Sequence, residues 1–467
     1  MPEISVDALG AIACGKLAGK LSRLAGRGGT ALPGLLALAL QPKVVRRLAS
    51  QLPRGSILVT GTNGKTTTTR MVASILRQAG QRPLYNNSGS NLMRGLATSL
   101  LQGASLLGAI PREITTGLFE IDEATLPHAI RETKPKLIIV TNLFRDQLDR
   151  YGEVDSVASL WRQAISQLPQ DTCLVLNSDD PVVAGLGRDV PNRVVYYGID
   201  DLSIGRQETE HAADATWCPA CGVDYHYATC FYGHIGHFSC PSCGRARPQP
   251  HVRALRVERL GFSGTSLDLA LPTERLSIRL GLPGTYNVYN GLAATAAAVA
   301  LGLEPGLIKD ALEGTTAAFG RVEKAGYQGR TICLVLAKNP IGLNEAVRTI
   351  LAGEGQRNLL FVLNDNIADG QDISWIWDAD FELLRGRVGF VTAGGRRAED
   401  MALRLKYAGI EGVAPEKDLR EALLRSVERT PEGDTLYIVP TYTAMLEVRR
   451  ELSRLVPLED FWVSHER

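Results

Sequence analysis

At 467 residues the chain is too long for one ordinary core, and two or three domains are expected. A net charge of +1 with 22% charged residues carries no general polyanion signal and argues against a dedicated nucleic-acid binder. No apolar run is long enough to span a bilayer, and the amino terminus lacks the basic-then-apolar order of a secretory leader. The expectation is a cytoplasmic chain whose eight cysteines serve metal rather than disulfides.

Residues 1–50 read as a helical segment with a basic excess (Lys16, Lys20, Lys43, Arg46 and Arg47 among others, against Glu3 and Asp7), compatible with solvated helix faces or with an anionic membrane surface. From residue 51 to 317, apolar runs such as "SILVT", "TGLFEI", "KLIIVTN" and "TCLVLN" alternate with helical stretches, the pattern of a parallel sheet with crossover helices. Residues 210–250 interrupt it with a Cys/His/Gly/Pro-rich island, after which "LSIRLGLPG" and "NGLAATAAAVALGL" return to the main domain. Residues 318–467 alternate again ("TICLVLA", "NLLFVLND", "RVGFVTAG", "TLYIVPT") and read as a separate α/β domain.

"SILVTGTNGKTTTTRMVASIL" is the strongest nucleotide signal: a strand, a turn allowed by Gly61 and Gly64, and a helix opening at Lys65. Backbone N–H groups of Gly61, Thr62, Asn63, Gly64, Lys65, Thr66 and Thr67 can cradle phosphates, Lys65 can reach the terminal phosphates, and Thr66 can hold Mg²⁺. The full Walker pattern has glycine where this chain has Val59. The island holds "CPAC" and "CPSC", so that Cys218, Cys221, Cys240 and Cys243 form C-x2-C-x18-C-x2-C, the spacing of a closed structural zinc site. His226, His234, His237 and Cys230 are competing donors, and the aromatics Tyr225, Tyr227, Phe231 and Tyr232 are expected to pack over the ribbon. Such a site would replace a core that the island is too small and polar to build.

After the run "NLLFV" comes "LNDNIADGQDISWIWDADFE", with Asp365, Asp369 and Asp372 and the tryptophans Trp375 and Trp377. A solvated loop or a set of helix caps would account for it.

"VTGTNGKTT", "FEIDEA", "TNLFRDQLDRYGE", "LNSDDP", "GTYNVYNGLAA" and "FGRVE" occur in the order seen in the Mur ligase superfamily, which the chain resembles over most of its length. The resemblance implies ATP-dependent acyl-phosphate chemistry, Glu120 for Mg²⁺, Asn287 and Asn290 near the adenine, and Arg321 near the γ-phosphate. The chain departs from the family at Gln147, where histidine is usual, at "VASLWRQAISQLPQ", which lacks the carbamylated lysine, and at Val335, where a ribose-binding aspartate is usual. The four-cysteine ribbon, the acidic loop, "RGGTALPG", "AGGRRAEDMALRLKYAG" and "PTYTAML" resemble one branch, the MurT family. That resemblance implies amidation of the D-glutamate α-carboxylate of lipid II or a related peptidoglycan precursor. It further implies ammonia from a GatD-like glutaminase in a heterodimer, with an aspartate of the acidic loop orienting the partner's catalytic histidine. Asp365 is the first choice and Asp369 and Asp372 the alternatives, because a carboxylate fixes the imidazole tautomer. An autonomous amino-acid ligase of the folylpolyglutamate kind and a non-enzymatic ATP-binding adaptor are the competing readings.

Overall fold

Short apolar runs bounded by turns and joined by amphipathic helices build two sheets. The computed structural model describes residues 6–24, 31–86, 90–145, 154–207, 213–315, 323–353 and 355–456. The first helices are α1 (Val6–Leu24), α2 (Leu32–Leu40) and α3 (Val44–Ala49). Six parallel strands follow: β1 (Ser56–Thr60), β2 (Arg82–Tyr85), β3 (Ile114–Glu120), β4 (Leu137–Val140), β5 (Cys173–Asn177) and β6 (Val194–Ile199). Between them lie α4 (Lys65–Gln78), α5 (Met93–Gly103) and α6 (Leu126–Thr133).

The sheet continues through β9 (Val252–Arg259), β10 (Thr265–Ala270) and β11 (Arg275–Leu280), giving nine strands in the order β11-β10-β9-β6-β5-β4-β1-β3-β2. Central strands such as "LIIV" are buried throughout because helices cover both faces. Edge strand β11 alternates exposed and buried residues, as one wet face requires. Successive side chains of β1 enter opposite cores: Ile57 and Val59 meet the alanine-rich helix Thr285–Ala300, and Leu58 joins the core shared with α1 to α3.

The island forms a hairpin, β7 (His226–Tyr232) and β8 (Ile235–Ser239), between its two cysteine pairs. Here the structure corrects an expectation. Tyr225, Tyr227 and Phe238 do stack over the ribbon, but Phe231, Tyr232 and Ile235 are fully buried in the main core, with Tyr232 edge-on to Tyr289 at 5.4 Å. The ribbon is therefore grafted onto the central domain rather than standing as a metal-held unit of its own.

The carboxy-terminal sheet has six strands, β12 (Glu323–Tyr327), β13 (Arg330–Leu334), β14 (Arg357–Val362), β15 (Val388–Gly394), β16 (Ala414–Glu416) and β17 (Thr435–Pro440). Their order is β12-β13-β17-β14-β15-β16, and only β12 is antiparallel. In both sheets the loops that carry polar residues leave the carboxyl ends of parallel strands, where open α/β sheets place ligands.

Candidate active site

The turn after β1 needs its glycines. Gly61 and Gly64 sit at φ of +128° and +86°, and a Cβ would lie 2.1 Å from Thr141 Oγ1 at the first and 2.0 Å from Asn290 Oδ1 at the second. The loop is laced to the turn after β4. Asn142 Oδ1 accepts from the Asn63 N–H at 2.8 Å, Thr141 Oγ1 donates to the Asn63 carbonyl at 2.8 Å, and Thr62 Oγ1 exchanges hydrogen bonds with the Phe144 backbone. The loop opens α4 with N–H groups aimed off its amino end, a ready anion cradle.

Lys65 folds back over this cradle, its Nζ 2.5 Å from the Gly61 carbonyl and 3.2 Å from both Glu123 carboxylate oxygens. Glu120, Asp122 and Glu123 are all buried at the carboxyl end of β3. Asn86 clamps the Glu120 backbone on both sides, accepting from its N–H and donating to its carbonyl at 2.8 Å each. Trp161, fully buried in the helix that lacks the lysine, donates to the Glu123 carbonyl at 2.8 Å. The sequence reading named Glu120 and missed Glu123. A second acid three residues on in "FEIDEA" was the available signal, but only the fold shows that it meets Lys65.

Asn290 and Asn287 lie directly beneath the loop. Asn290 Oδ1 accepts from Thr68 Oγ1 at 3.3 Å, its Nδ2 donates to Asn287 Oδ1 at 3.0 Å, and Asn287 Nδ2 donates to the Pro283 carbonyl at 2.7 Å. A cleft beside them is walled by Asn63, Gly64 and Tyr286 from one domain and by Val335, Lys338 and Asn339 from the other. Asn339 Nδ2 donates across it to Asn63 Oδ1 at 3.0 Å. Asn63 Nδ2, Thr67 Oγ1 and Thr60 Oγ1 are buried without hydrogen-bond partners, so the site has unused polar capacity of the kind a nucleotide would take up. Thr66, the second residue of α4, is half-buried, and its hydroxyl and the Glu120 carboxylate are oxygen donors of the kind Mg²⁺ takes. Arg321, Gln147, Asp149, Glu3 and Arg27 lie outside the described residues.

The four knuckle cysteines come together, all sulfur atoms within 4.8 Å of one another, with Cys218–Cys243 at 3.6 Å and Cys221–Cys240 at 3.4 Å. Tetrahedral thiolate ligation of zinc separates sulfurs by ~3.8 Å, so the donor set fits. None of the four is in a disulfide. The knuckle glycines Gly222 and Gly244 adopt φ of +74° and +71°, so their role is the left-handed turn and not close packing, since a Cβ would meet nothing there. His226, His234, His237 and Cys230 stay out of the cluster. His237 Nε2 lies 2.7 Å from the Ile199 carbonyl, and His234 is fully buried 3.6 Å from Asp180. Arg247, just past the second knuckle, contacts Asp179 at 2.5 Å and Asp200 at 2.9 Å, pinning the insertion to the turns after β5 and β6.

The acidic loop follows β14, and its three aspartates differ. Asp369 is buried, accepting from the backbone and hydroxyl of Thr443. Asp372 accepts from the Ser374 N–H at 2.8 Å, which closes a short turn. Asp365 is partly exposed, its two oxygens each 3.1 Å from an arginine, Arg396 and Arg397. Partial burial pushes its carboxyl up, but hydrogen bonds and charge from Arg397 and Arg396 outweigh this and hold it below the usual carboxylate range. The tryptophans also divide. Trp375 is half-buried against the domain core, whereas Trp377 is 47% exposed and edge-on to Tyr407 at 5.5 Å.

Residues 59–239 match the Mur ligase middle domain model, and residues 336–445 match the MurT ligase C-terminal model. The chain is 36% identical over 448 residues to the lipid II isoglutaminyl synthase (glutamine-hydrolyzing) subunit MurT of Streptococcus pneumoniae, covering 94% of this chain and 96% of that one. It is 34% identical to the subunit of the same name from Staphylococcus aureus, covering 95% and 97%. Among solved structures, a pseudomurein peptide ligase type C from Methanothermus fervidus superposes with a TM-score of 0.67 at 24% identity, over 86% of this chain and 79% of that one. MurF from Acinetobacter baumannii gives 0.65 at 18%, over 89% and 80%. These two share the fold. With near-complete coverage by its relatives, a matching carboxy-terminal domain and a Mur-type phosphate loop, the chain belongs to the MurT family of Mur ligase-like proteins.

Proposed function

We propose that this protein is the ligase subunit of a glutamine-dependent amidating complex acting on the D-glutamate α-carboxylate of lipid II or a related peptidoglycan precursor. The observation that carries the reading is the phosphate loop sutured to a buried acidic turn and bridged by Asn339 to the domain that bears Asp365. The loop N–H groups and Lys65 bind the phosphates of ATP, and Asn287 and Asn290 hold the loop's shape from below. Mg²⁺, held by Thr66 and Glu120, supplies charge neutralisation at the phosphates. Lys65, Arg321 and the loop stabilise phosphoryl transfer to the carboxylate. Ammonia then displaces phosphate from the acyl phosphate and leaves D-isoglutamine.

In this reading the ammonia comes from a partner. Burial pushes the Cys333 thiol up to about 12 and raises that of Cys173, so neither is an activated nucleophile. A partner glutaminase of the GatD kind fits the acidic loop. Asp365 and Asp372 both reach solvent with carboxyls lowered by neighbours, but Asp365 alone of the three is held by two arginines, and exposed Trp377 and Ile367 nearby in sequence suit a protein contact. Asp365 and Asn339 follow the carboxyl ends of β14 and β13, strands two apart in one sheet and so spaced by ~10 Å. Four thiolates of the cluster would hold zinc as a structural ion.

The domain division at 51–317 and 318–467, with the 210–250 insertion, is part of this proposal. No helix among the described residues is long and apolar enough to cross a membrane. ATP use and unpaired thiols suit the cytoplasm, with peripheral contact at the inner membrane face.

The test is glutaminase activity of the partner alone, with this protein, and with its Asp365→Asn form. Strong activation by the wild type and loss with the variant are expected. Activation that survives Asp365→Asn moves the role to Asp369 or Asp372, and no activation at all returns the autonomous ligase to first place.

A further inference from the structure

Surface helices ordinarily bury their apolar stripe and leave a polar one to water. The pair α1 and α2 also leaves leucines facing water. Gly34 of α2 packs so closely on α5 that a Cβ would lie 1.8 Å from the Arg94 carbonyl oxygen. Gly15 and Gly19 of α1 pack on Pro33, where a Cβ would lie 3.0 Å from its carbonyl oxygen and 3.2 Å from its Cγ, respectively. Small residues, Gly15, Gly19, Gly34 and Ala37, therefore line these contacts, Ile12 and part of Leu38 reach the core, and six leucines are turned out. Leu32, Leu35, Leu36 and Leu40 recur at i, i+3, i+4 and i+8 along α2, and Leu17 and Leu21 lie one turn apart on α1. All six are between 39% and 59% exposed, and α2, "LPGLLALAL", has no polar side chain. The two rows flank one helix–helix contact.

Charge accompanies the leucines. Lys16, half-buried, and Lys20, exposed, form the helical row next to Leu17 and Leu21, about 100° round α1, and Lys43 is exposed just beyond α2. No aspartate or glutamate occurs anywhere between Asp7 and Glu113. This stretch of sequence carries basic charge alone, and Glu132 from α6 reaches Arg46 at 2.9 Å.

We propose that this face is a docking surface for an anionic lipid bilayer, with the leucines entering the headgroup–acyl boundary and the lysines meeting acidic headgroups. Apolar area and anionic attraction add in such contacts, with ~1 kcal/mol for each basic residue near the surface. Lysine stems lie along the apolar surface while the ammonium stays with the headgroups. A second copy of the chain is the poorer occupant, because a two-fold contact would set Lys16 and Lys20 against their own equivalents. The glutaminase is assigned instead to the carboxy-terminal domain. The inference rests on the peripheral membrane contact proposed above and names the surface that makes it.

Flotation of the full chain with its partner subunit, in the absence of substrate, tests it. Vesicles of phosphatidylglycerol with phosphatidylcholine are compared with phosphatidylcholine alone. The wild type is expected to float with the anionic vesicles and to partition about tenfold less into neutral ones. Leu35→Gln/Leu36→Gln/Leu40→Gln and, separately, Lys16→Gln/Lys20→Gln should each lower partitioning about tenfold or more. Melting temperature and amidation of a lipid-free stem peptide should be unchanged in both. Failure of the wild type to float, partitioning indifferent to the leucine substitutions, or a solution dimer abolished by them would overturn the proposal. Flotation without amidation would instead count against the ligase reading and leave the surface standing.

Discussion

Lys65 does two jobs in this protein. In the structure it offsets the buried carboxylate of Glu123, and in the proposed mechanism it turns to phosphate. Removing one member of a buried pair is costly because the other charge stays in low dielectric. Lys65→Ala should therefore lower stability by about 3–5 kcal/mol in denaturant melts. Adding Glu123→Gln should restore most of that loss, while kcat stays down about 10³-fold in both. Restored turnover in the double variant would show that Lys65 serves only the fold. Asp365 is the opposite case, a surface carboxylate held ionised by two arginines. Its folded pKa lies below its unfolded value, so its stabilising contribution is present above about pH 4 and is lost as pH falls through the folded pKa. Melting curves of wild type and Asp365→Asn should thus differ at pH 7 and converge on the acid side. Ammonia-fed amidation should survive the substitution, whereas partner glutaminase activity should fall by ~10²–10⁴-fold.

Among the elements, the hairpin β7–β8 shows how a metal site and a core can depend on each other. Its outer end carries the cysteines, and its inner residues Phe231, Tyr232 and Ile235 are part of the central core. Cys240→Ser should reduce bound zinc, read by mass spectrometry, from about one ion per chain to a small fraction. It should also lower the melting temperature of the central domain as a whole, because the loosened strand is one of that domain's own. A separate low-temperature transition with the main melt unmoved would mean that the ribbon is an independent unit. The helix Thr285–Ala300 is tolerant of such neighbours because its alanines let α4 and the sheet approach closely.

At the scale of the whole molecule, the two domains meet at the phosphate loop through Asn63 and Asn339. Asn339 also caps its own helix, its side chain accepting from the Gly342 N–H at 2.8 Å. Serine retains a cap but is too short to reach Asn63. Asn339→Ser should leave the melting temperature nearly unchanged and cost about fivefold in kcat/KM for ATP, the worth of roughly one hydrogen bond. An unchanged kcat/KM would detach this bridge from catalysis.

Local pattern alone carried much of this. The glycine turn opening a helix at Lys65, the paired C-x2-C knuckles and the runs of apolar strands are short-range features, set by backbone sterics and by side-chain period. The different surroundings of Asp365, Asp369 and Asp372 were not, because a distant threonine engages Asp369 and two arginines just after β15 hold Asp365. Glu123 meeting Lys65, Asn339 meeting Asn63, and Phe231 and Tyr232 leaving the ribbon for the main core were likewise decided by tertiary structure. Nor could composition show that α1 and α2 turn their glycines inward and their leucines out. Each of these rests on partners remote in sequence. Periodicity tells which face of an element is apolar, and only packing tells what that face meets.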